Sequence, residues 1–452
     1  MKILKSVFTI FAFAGSVVAA QAAQNADSLA RVADKAPANA ALNLQAGKAL
    51  LKEGKPTKAR AYLNRGGNDA KPWLALIEFD NYNFNGANEI AEAYLASKHN
   101  EESEPHRMAL EVIERGEIAS TMLDRVEKVT VIDSIVVDKD SFFKAFKLSA
   151  PTGRIASARG LPSGMKAASP TTVYVSENAD RMVWGADDAK GNVHLVESSH
   201  LADGSWEAPH AIGDALGLGK NANFPFLMSD GVTLYYASDG EGSLGGYDIY
   251  VTRNDGDKYL NPQNIGMPYN SPYDDYLLAI DDATGIGWWA TDRNLIPGSL
   301  TVYLFIPQEL RDNYPVDGTA DLIDRARISS IAATQRKGED YSKYFEALKS
   351  LSQSSASDHN DDRFEFALPD GRVITSVSQF TEPEAQDLMN YYLDALGEFR
   401  EAEAALAGLR KAFGGGDRSV KAEILTREDE LEQMRQQLRH MANDVVKAEL
   451  RN

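Results

Sequence analysis

The chain has 452 residues, a formal charge of −19 and an ordinary apolar content of 43%. That length leaves room for two to four domains with proper cores, and the composition excludes a disordered chain. The acidic balance argues against nucleic-acid binding, which needs clustered Lys and Arg. The absence of cysteine excludes disulfides, a thiol nucleophile and the lipid-bearing Cys of a bacterial lipoprotein.

Residues 1–22 read as a secretory signal peptide: Lys2 and Lys5 are basic, Val7 to Ala20 is apolar but short, and Ala20-Gln21-Ala22 supplies the small residues of a cleavage site. The location expected is therefore the periplasm, with secretion as the alternative. No later segment approaches ~18 unbroken apolar residues, so no transmembrane segment is expected.

Residues 23–126 are expected to be helical. Gly54, Ala59, Ala61, Tyr62 and Leu63 recur 32 positions later as Gly86, Ala91, Ala93, Tyr94 and Leu95. Each Gly is expected in a tight turn between helices, with small Ala residues letting helices approach. This pattern resembles tetratricopeptide repeats, with His106 to Arg125 as a third, capping element; a plain helical bundle is the alternative. Groove binding or packing is the expected role.

Residues 127–310 change to a strand pattern, beginning with the β-branched run Val129 to Val137. A repeat of 53 residues dominates this region. Trp206, Pro209, Ile212 and Gly213 return as Tyr259, Pro262, Ile265 and Gly266, and Tyr235 to Asp239 returns as Trp288, Trp289, Ala290, Thr291 and Asp292. One period earlier, Trp184 and Asp187 match Tyr236 and Asp239 at a spacing of 52. Such periods of short strands mark a β-propeller or a related array. Asp230-Gly231 predicts a hairpin turn, Pro209 and Pro262 are expected to end strand pairing, and Asp187, Asp239 and Asp292 are expected to cap their own turns.

The stretch Asn223 to Asp239, followed by Gly245-Gly246-Tyr247-Asp248-Ile249-Tyr250, resembles the WD40-like (TolB-type) repeat of bacterial periplasmic propellers. The likeness covers Thr172 to Phe305. Together with the helical repeats it is similar to cell-envelope proteins of Bacteroidetes, including components of outer-membrane secretion and gliding machinery. These often carry an OmpA-like peptidoglycan-binding domain, and no such segment is found here. Three repeat units predict a small or incomplete propeller, extended by the strand at Val129 to Val137 and by a hairpin at Phe364 to Ser376; an open array needing a partner on its edges is the alternative.

Residues 311–360 read as a helical linker, 361–380 as the hairpin that would complete the propeller, and 381–452 as a coiled-coil helical hairpin. Leu388, Tyr392, Ala395, Phe399, Ala402, Leu406, Leu409 and Phe413 alternate spacings of 4 and 3. After Gly414-Gly415-Gly416 the alternation resumes at Val420, Ile424, Leu431, Met434, Leu438, Met441 and Val445, with Arg427 in the one polar seam position. The seam either packs on itself or makes a homo-oligomer or a partner contact, and Arg427 either snorkels or specifies the partner.

No catalytic constellation is evident. Gly240 to Gly245 spells G-x-G-x-x-G, but a strand follows where a phosphate-binding helix is needed, so it reads as a hairpin loop. Nucleophile-elbow and zinc spacings are missing, and His194, His200 and His210 are scattered. Asp274-Asp275 and Asp281-Asp282 lack EF-hand spacing and read as turn acids. The expectation is a non-enzymatic periplasmic scaffold that binds other envelope proteins and needs no cofactor and no metal. A glycan- or peptide-binding module for uptake is the alternative; an enzyme gated by the propeller would need a catalytic domain that no segment supplies. The candidate partner-contact residues are Tyr235, Tyr236, Trp288, Trp289 and Arg427, with one of each aromatic pair expected at the surface because neighbours on a strand point to opposite faces.

Overall fold

The computed structural model describes residues 26–450 apart from 202–203, 257, 297, 309, 317–319, 359–365, 369–371, 375–376 and 415–417. The signal-peptide segment, the Asp370-Gly371 turn and Gly415-Gly416 lie outside the described residues. The architecture mixes helices with antiparallel sheets, in two compact units, Met1–Ser352 and Gln353–Asn452.

The first unit opens with six helices: α1 Ala26–Lys35, α2 Ala40–Lys52, α3 Pro56–Leu63, α4 Lys71–Asp80, α5 Phe84–Leu95 and α6 Glu104–Leu123. Side-chain oxygens of Asn39, Asn83 and Ser103 accept backbone N–H bonds and so cap α2, α5 and α6. The repeated Ala59 and Ala91 are both fully buried and Ala61 and Ala93 both exposed, so the 32-residue repeat marks equivalent faces of α3 and α5. The glycines differ. Gly54 has φ +69° in the turn after α2. Gly86 lies inside the first turn of α5, where its N–H meets the capping Asn83, and Tyr82 takes the left-handed conformation instead.

Fifteen strands follow among the described residues: β1 Thr130–Asp138, β2 Arg154–Ser157, β3 Thr172–Val175, β4 Arg181–Asp187, β5 Val193–Ser199, β6 His210–Ala211, β7 Ala222–Leu227, β8 Thr233–Ser238, β9 Asp248–Arg253, β10 Gln263–Asn264, β11 Asp275–Asp281, β12 Ile286–Thr291, β13 Ser299–Ile306, β14 Phe366–Ala367 and β15 Val373–Ile374. The repeat builds three antiparallel sheets, β2-β3-β4-β5-β6, β7-β8-β9-β10 and β11-β12-β13-β1. β1 supplies the fourth strand that the third repeat lacks, with Thr130 opposite Ile306 and Asp138 opposite Ser299. Pro209 and Pro262 do not end the pairing. They interrupt it, between the bridges His200–Trp206 and Asn254–Tyr259 and the two-residue outer strands β6 and β10; a residue without N–H breaks a ladder only locally.

Successive sheets pack through a common core that includes Tyr174, Phe224, Phe226, Tyr236, Tyr276 and Trp288. No closed ring forms among the described residues: Phe142 and Phe146, in the segment between β1 and β2, fill the core beside Tyr276 and Phe224, and Ser149 and Thr152 bond Asp281 of the third sheet. The described residues of 311–360 include three helices, α7 Ala320–Arg327, α8 Ile331–Thr334 and α9 Ser342–Asp358. Ile328 and Ile331 pack on the third sheet, while Tyr341, Tyr344 and Leu348 join the common core; apolar residues at helical spacing are drawn out of water.

Leu244, Met267 and Ala326 belong to the same buried cluster as the N-terminal helices, so helices and sheets share a core. Asp80 ends α4, where a negative charge opposes the helix dipole. Burial pushes its carboxyl up to about 7, against the pull of Arg115. A carboxyl raised on folding contributes stability below the unfolded pKa and loses it as pH rises toward the folded one. Asp80→Asn is therefore expected to stabilise the protein by at least ~1 kcal/mol at pH 8 and to change little at about pH 3.5, below the unfolded pKa, as read by urea unfolding; equal effects at both pH values would contradict this.

The second unit contains β14–β15, α10 Pro383–Gly414 and α11 Lys421–Glu449. Among the described residues the hairpin pairs only with itself and extends none of the three sheets. Its Phe366, Leu368 and Ile374 are buried with Phe380, Met389 and Val445, which cover its apolar face. Ala385 and Met389 near the start of α10 meet Val445 and Ala448 near the end of α11, and Arg435 lies over Phe399 at mid-length, so the helices run antiparallel.

Candidate functional site

The chemistry of the repeat concentrates at the strand ends. Asp239 and Asp292, just beyond β8 and β12, do not cap their own turns. Asp239 accepts the N–H of Asn221 (2.9 Å) and Asp292 that of Asp274 (2.9 Å). Asn221 and Asp274 hold the same repeat position, and each reaches back one sheet: Asn221 Oδ1 accepts from Val193 N (2.8 Å) and Asp274 Oδ1 from Tyr247 N (2.8 Å). The recurring acid thus fixes the residue that clamps one sheet to the one before. In the third sheet Tyr276 Oη lies 2.9 Å from Asp274 Oδ2 and 3.1 Å from Asp292 Oδ2, and Lys139, just past β1, reaches Tyr276 and Asp292. Burial and the neighbouring Asp274 charge push Asp292 up to about 6.

Deeper acids are likewise committed. Asp275 accepts from Arg293 Nη2 (2.8 Å) and from Ser271 N and Oγ (2.7 and 2.9 Å). Arg293 also donates to the carbonyls of Pro268 (2.7 Å) and Tyr269 (2.6 Å). Asp248 accepts from Leu244 N, Gly245 N and Asn264 Nδ2 (2.8, 2.9 and 2.7 Å). Asp281 is filled by Ser149, Thr152 and Ala283 donors. Among the described residues no group of three or more His, Asp or Glu is placed to hold a metal ion. His210 contacts Glu197 and His200 stacks edge-on against Trp206.

Gly240 to Gly245 connects β8 to β9 and is a packing device. A Cβ on Gly245 would stand 1.8 Å from the Tyr273 carbonyl oxygen, and one on Gly240 2.5 Å from that of Gly217. Backbone cannot yield as a flexible side chain does, so Gly245→Ala is expected to cost at least ~2 kcal/mol. Gly256→Ala, where a Cβ meets nothing within 4 Å but φ is +106°, should cost about 1 kcal/mol from backbone strain alone. Paired thermal melts check the ranking.

Three of the four candidate aromatics are buried rather than at the surface. Trp288 and Trp289 are both 0% exposed, Tyr236 is buried with its hydroxyl on the Leu216 carbonyl (2.7 Å), and Tyr235 is half-buried. Strand alternation does place Trp288 and Trp289 on opposite faces, but each face has its own core: Trp288 faces the common core and Trp289 packs on Tyr269, Tyr303 and Phe305. Arg427 is exposed and paired with Glu430 (3.0 Å), while every other seam position with a described side chain is buried or half-buried. Its long stem carries the charge out of the seam.

The structure adds an open groove of ≈ 400 Å³ on the helices, lined by Lys71 and Leu74 of α4 and Glu89, Ile90 and Ala93 of α5. Of these only Ala93 stood out in the sequence. The spacing of Ile90 and Ala93, one helical turn apart on α5, is the signal that marks it. Among the described residues no helix is long and apolar enough to cross a membrane. No known family, curated protein or solved structure matches the chain.

Proposed function

We propose that the chain is a non-enzymatic scaffold of the bacterial cell envelope, exported to the periplasm, where it holds other envelope proteins in a complex, such as one associated with the outer membrane or with secretion. In this reading the N-terminal helices are tetratricopeptide-like pairs, the three sheets an incomplete β-propeller, and α10 with α11 a coiled-coil hairpin. The observation that carries it is where the repeat spends its polar residues: Asp239, Asp292, Asn221 and Asp274 clamp sheet to sheet. Residues repeated for assembly build a platform, and platforms bind through their grooves and edges. The glycan-binding alternative has fewer carriers, because Trp184, Tyr236, Trp288 and Trp289 are core residues and Trp206, Tyr235 and Tyr259 are half-buried.

In-cell crosslinking followed by affinity purification and mass spectrometry tests the proposal. Reproducible crosslinks from the α4–α5 groove to defined envelope proteins are expected. Recovery of the chain alone, across several crosslinker lengths, would count against a scaffold.

A further inference from the structure

Strand β1 is the outer edge of the third sheet, and half of that edge is already covered. The N–H of Val131 donates to Thr334 Oγ1 (3.0 Å) and its carbonyl accepts from Gln335 Nε2 (3.0 Å), so the end of α8 imitates a neighbouring strand. A bulge between Val131 and Asp133 then shifts the register. Lys139 N–H donates inward to the Gly298 carbonyl (3.0 Å), so by antiparallel alternation Ser134, Val136 and Asp138 turn their backbone groups outward. Ser134 N–H is taken by Asp133 Oδ1 (2.8 Å) and the Asp138 carbonyl by Ser141 N–H (3.2 Å). That leaves the Ser134 carbonyl, both groups of Val136 and the Asp138 N–H with no partner among the described residues.

Past the bulge this stretch carries no Pro, no outward Lys and no cover among the described residues, and the charges that guard it are all acidic, so they repel a like-charged strand and admit a basic one. Ile135 and Val136 are 40% and 43% exposed, and Lys139 is drawn away to Asp292 and Tyr276. In the turn between β12 and β13, Leu295 and Ile296 are exposed, and Leu295 has φ +52°, a strained conformation for an apolar side chain. Exposed Asp133, Asp138 and Asp140 flank the open groups. We infer that the Ser134–Asp138 edge is a docking site for one extended segment of a partner protein, apolar in alternation and flanked by Lys or Arg, which adds to the third sheet as a fifth strand. A second copy of this chain fits less well: it brings the same acids and a charge of −19 to the contact.

The inference rests on the scaffold reading only in expecting a protein partner, and its test uses the purified full chain, so it stands or falls apart from crosslinking in cells. The probes are a fluorescein-labelled peptide of alternating valine and threonine with two lysines at each end, and its twin with glutamates. The lysine peptide is expected to bind at least tenfold more tightly at low salt and to slow amide exchange at Val136 and Asp138. Val136→Pro, which removes the outward N–H, should abolish binding. Asp138→Lys with Asp140→Lys should reverse the preference between the twins, and this surface variant decides the matter if the proline variant fails to fold. Absence of binding, equal binding of the twins, or binding without protection at those amides would overturn the inference. Concentration-dependent dimerisation that protects the same amides would overturn it in favour of a second copy.

Discussion

Replacing Arg293 with alanine is expected to destabilise the first unit by about 3–5 kcal/mol, among the largest effects of any single substitution. Arg293 and Asp275 form a buried pair, with side chains 3% and 0% exposed. Removing the guanidinium strands a carboxylate whose affinity for its proton burial already raises, and takes donors from two backbone carbonyls. The loss should grow with pH. Without Arg293 the carboxyl binds its proton still more tightly in the folded state, so stability falls as pH rises through that raised pKa. Urea unfolding at pH 6 and pH 8 measures both points. Arg293→Met with Asp275→Asn should recover part of the loss, since a buried pair replaced as a pair costs far less than a pair broken. A cost for Arg293→Ala under about 1 kcal/mol would mean that the pair is not buried as described.

Trp289→Ala is expected to cost about 3–5 kcal/mol, by lost burial and by the cavity left among Tyr269, Tyr303 and Phe305. Trp289→Phe should be much milder. The indole Nε1 is buried and has no hydrogen-bond partner, so phenylalanine gives up area but no bond. Thermal or urea unfolding of the two variants separates this account from the one the sequence invited. If Trp289 were a surface contact, alanine would leave stability unchanged and weaken only partner binding.

The repeat was the most legible feature because it is a property of spacing alone. It located β7 to β9 and β11 to β13 and the Asp230-Gly231 turn, where Gly231 has φ +72°; the β-branched run Val129 to Val137 was legible as a strand at one end of the array, but not the sheet it joins. Facing was less legible. Alternation along β12 says that Trp288 and Trp289 point apart, but not that helices and the neighbouring sheet cover the second face. Gly86 matched Gly54 in sequence and not in conformation, because the turn before α5 moved to Tyr82. The clamp formed by Asp239, Asn221 and Val193 was hidden for a different reason: it joins two sheets, and the periodicity of one strand carries no information about a neighbour one repeat away. The groove on α4 and α5 escaped notice because its members are ordinary residues made significant by packing.

The most direct measurement is quantitative in-cell crosslinking of the wild-type chain beside a variant with Leu74→Asp and Ile90→Asp in the groove, both verified as folded by unfolding midpoint. The scaffold account predicts a defined set of envelope proteins with the wild type and at least a fivefold loss of one or more of them with the variant. The same yield from both, or no specific protein from either, would contradict it.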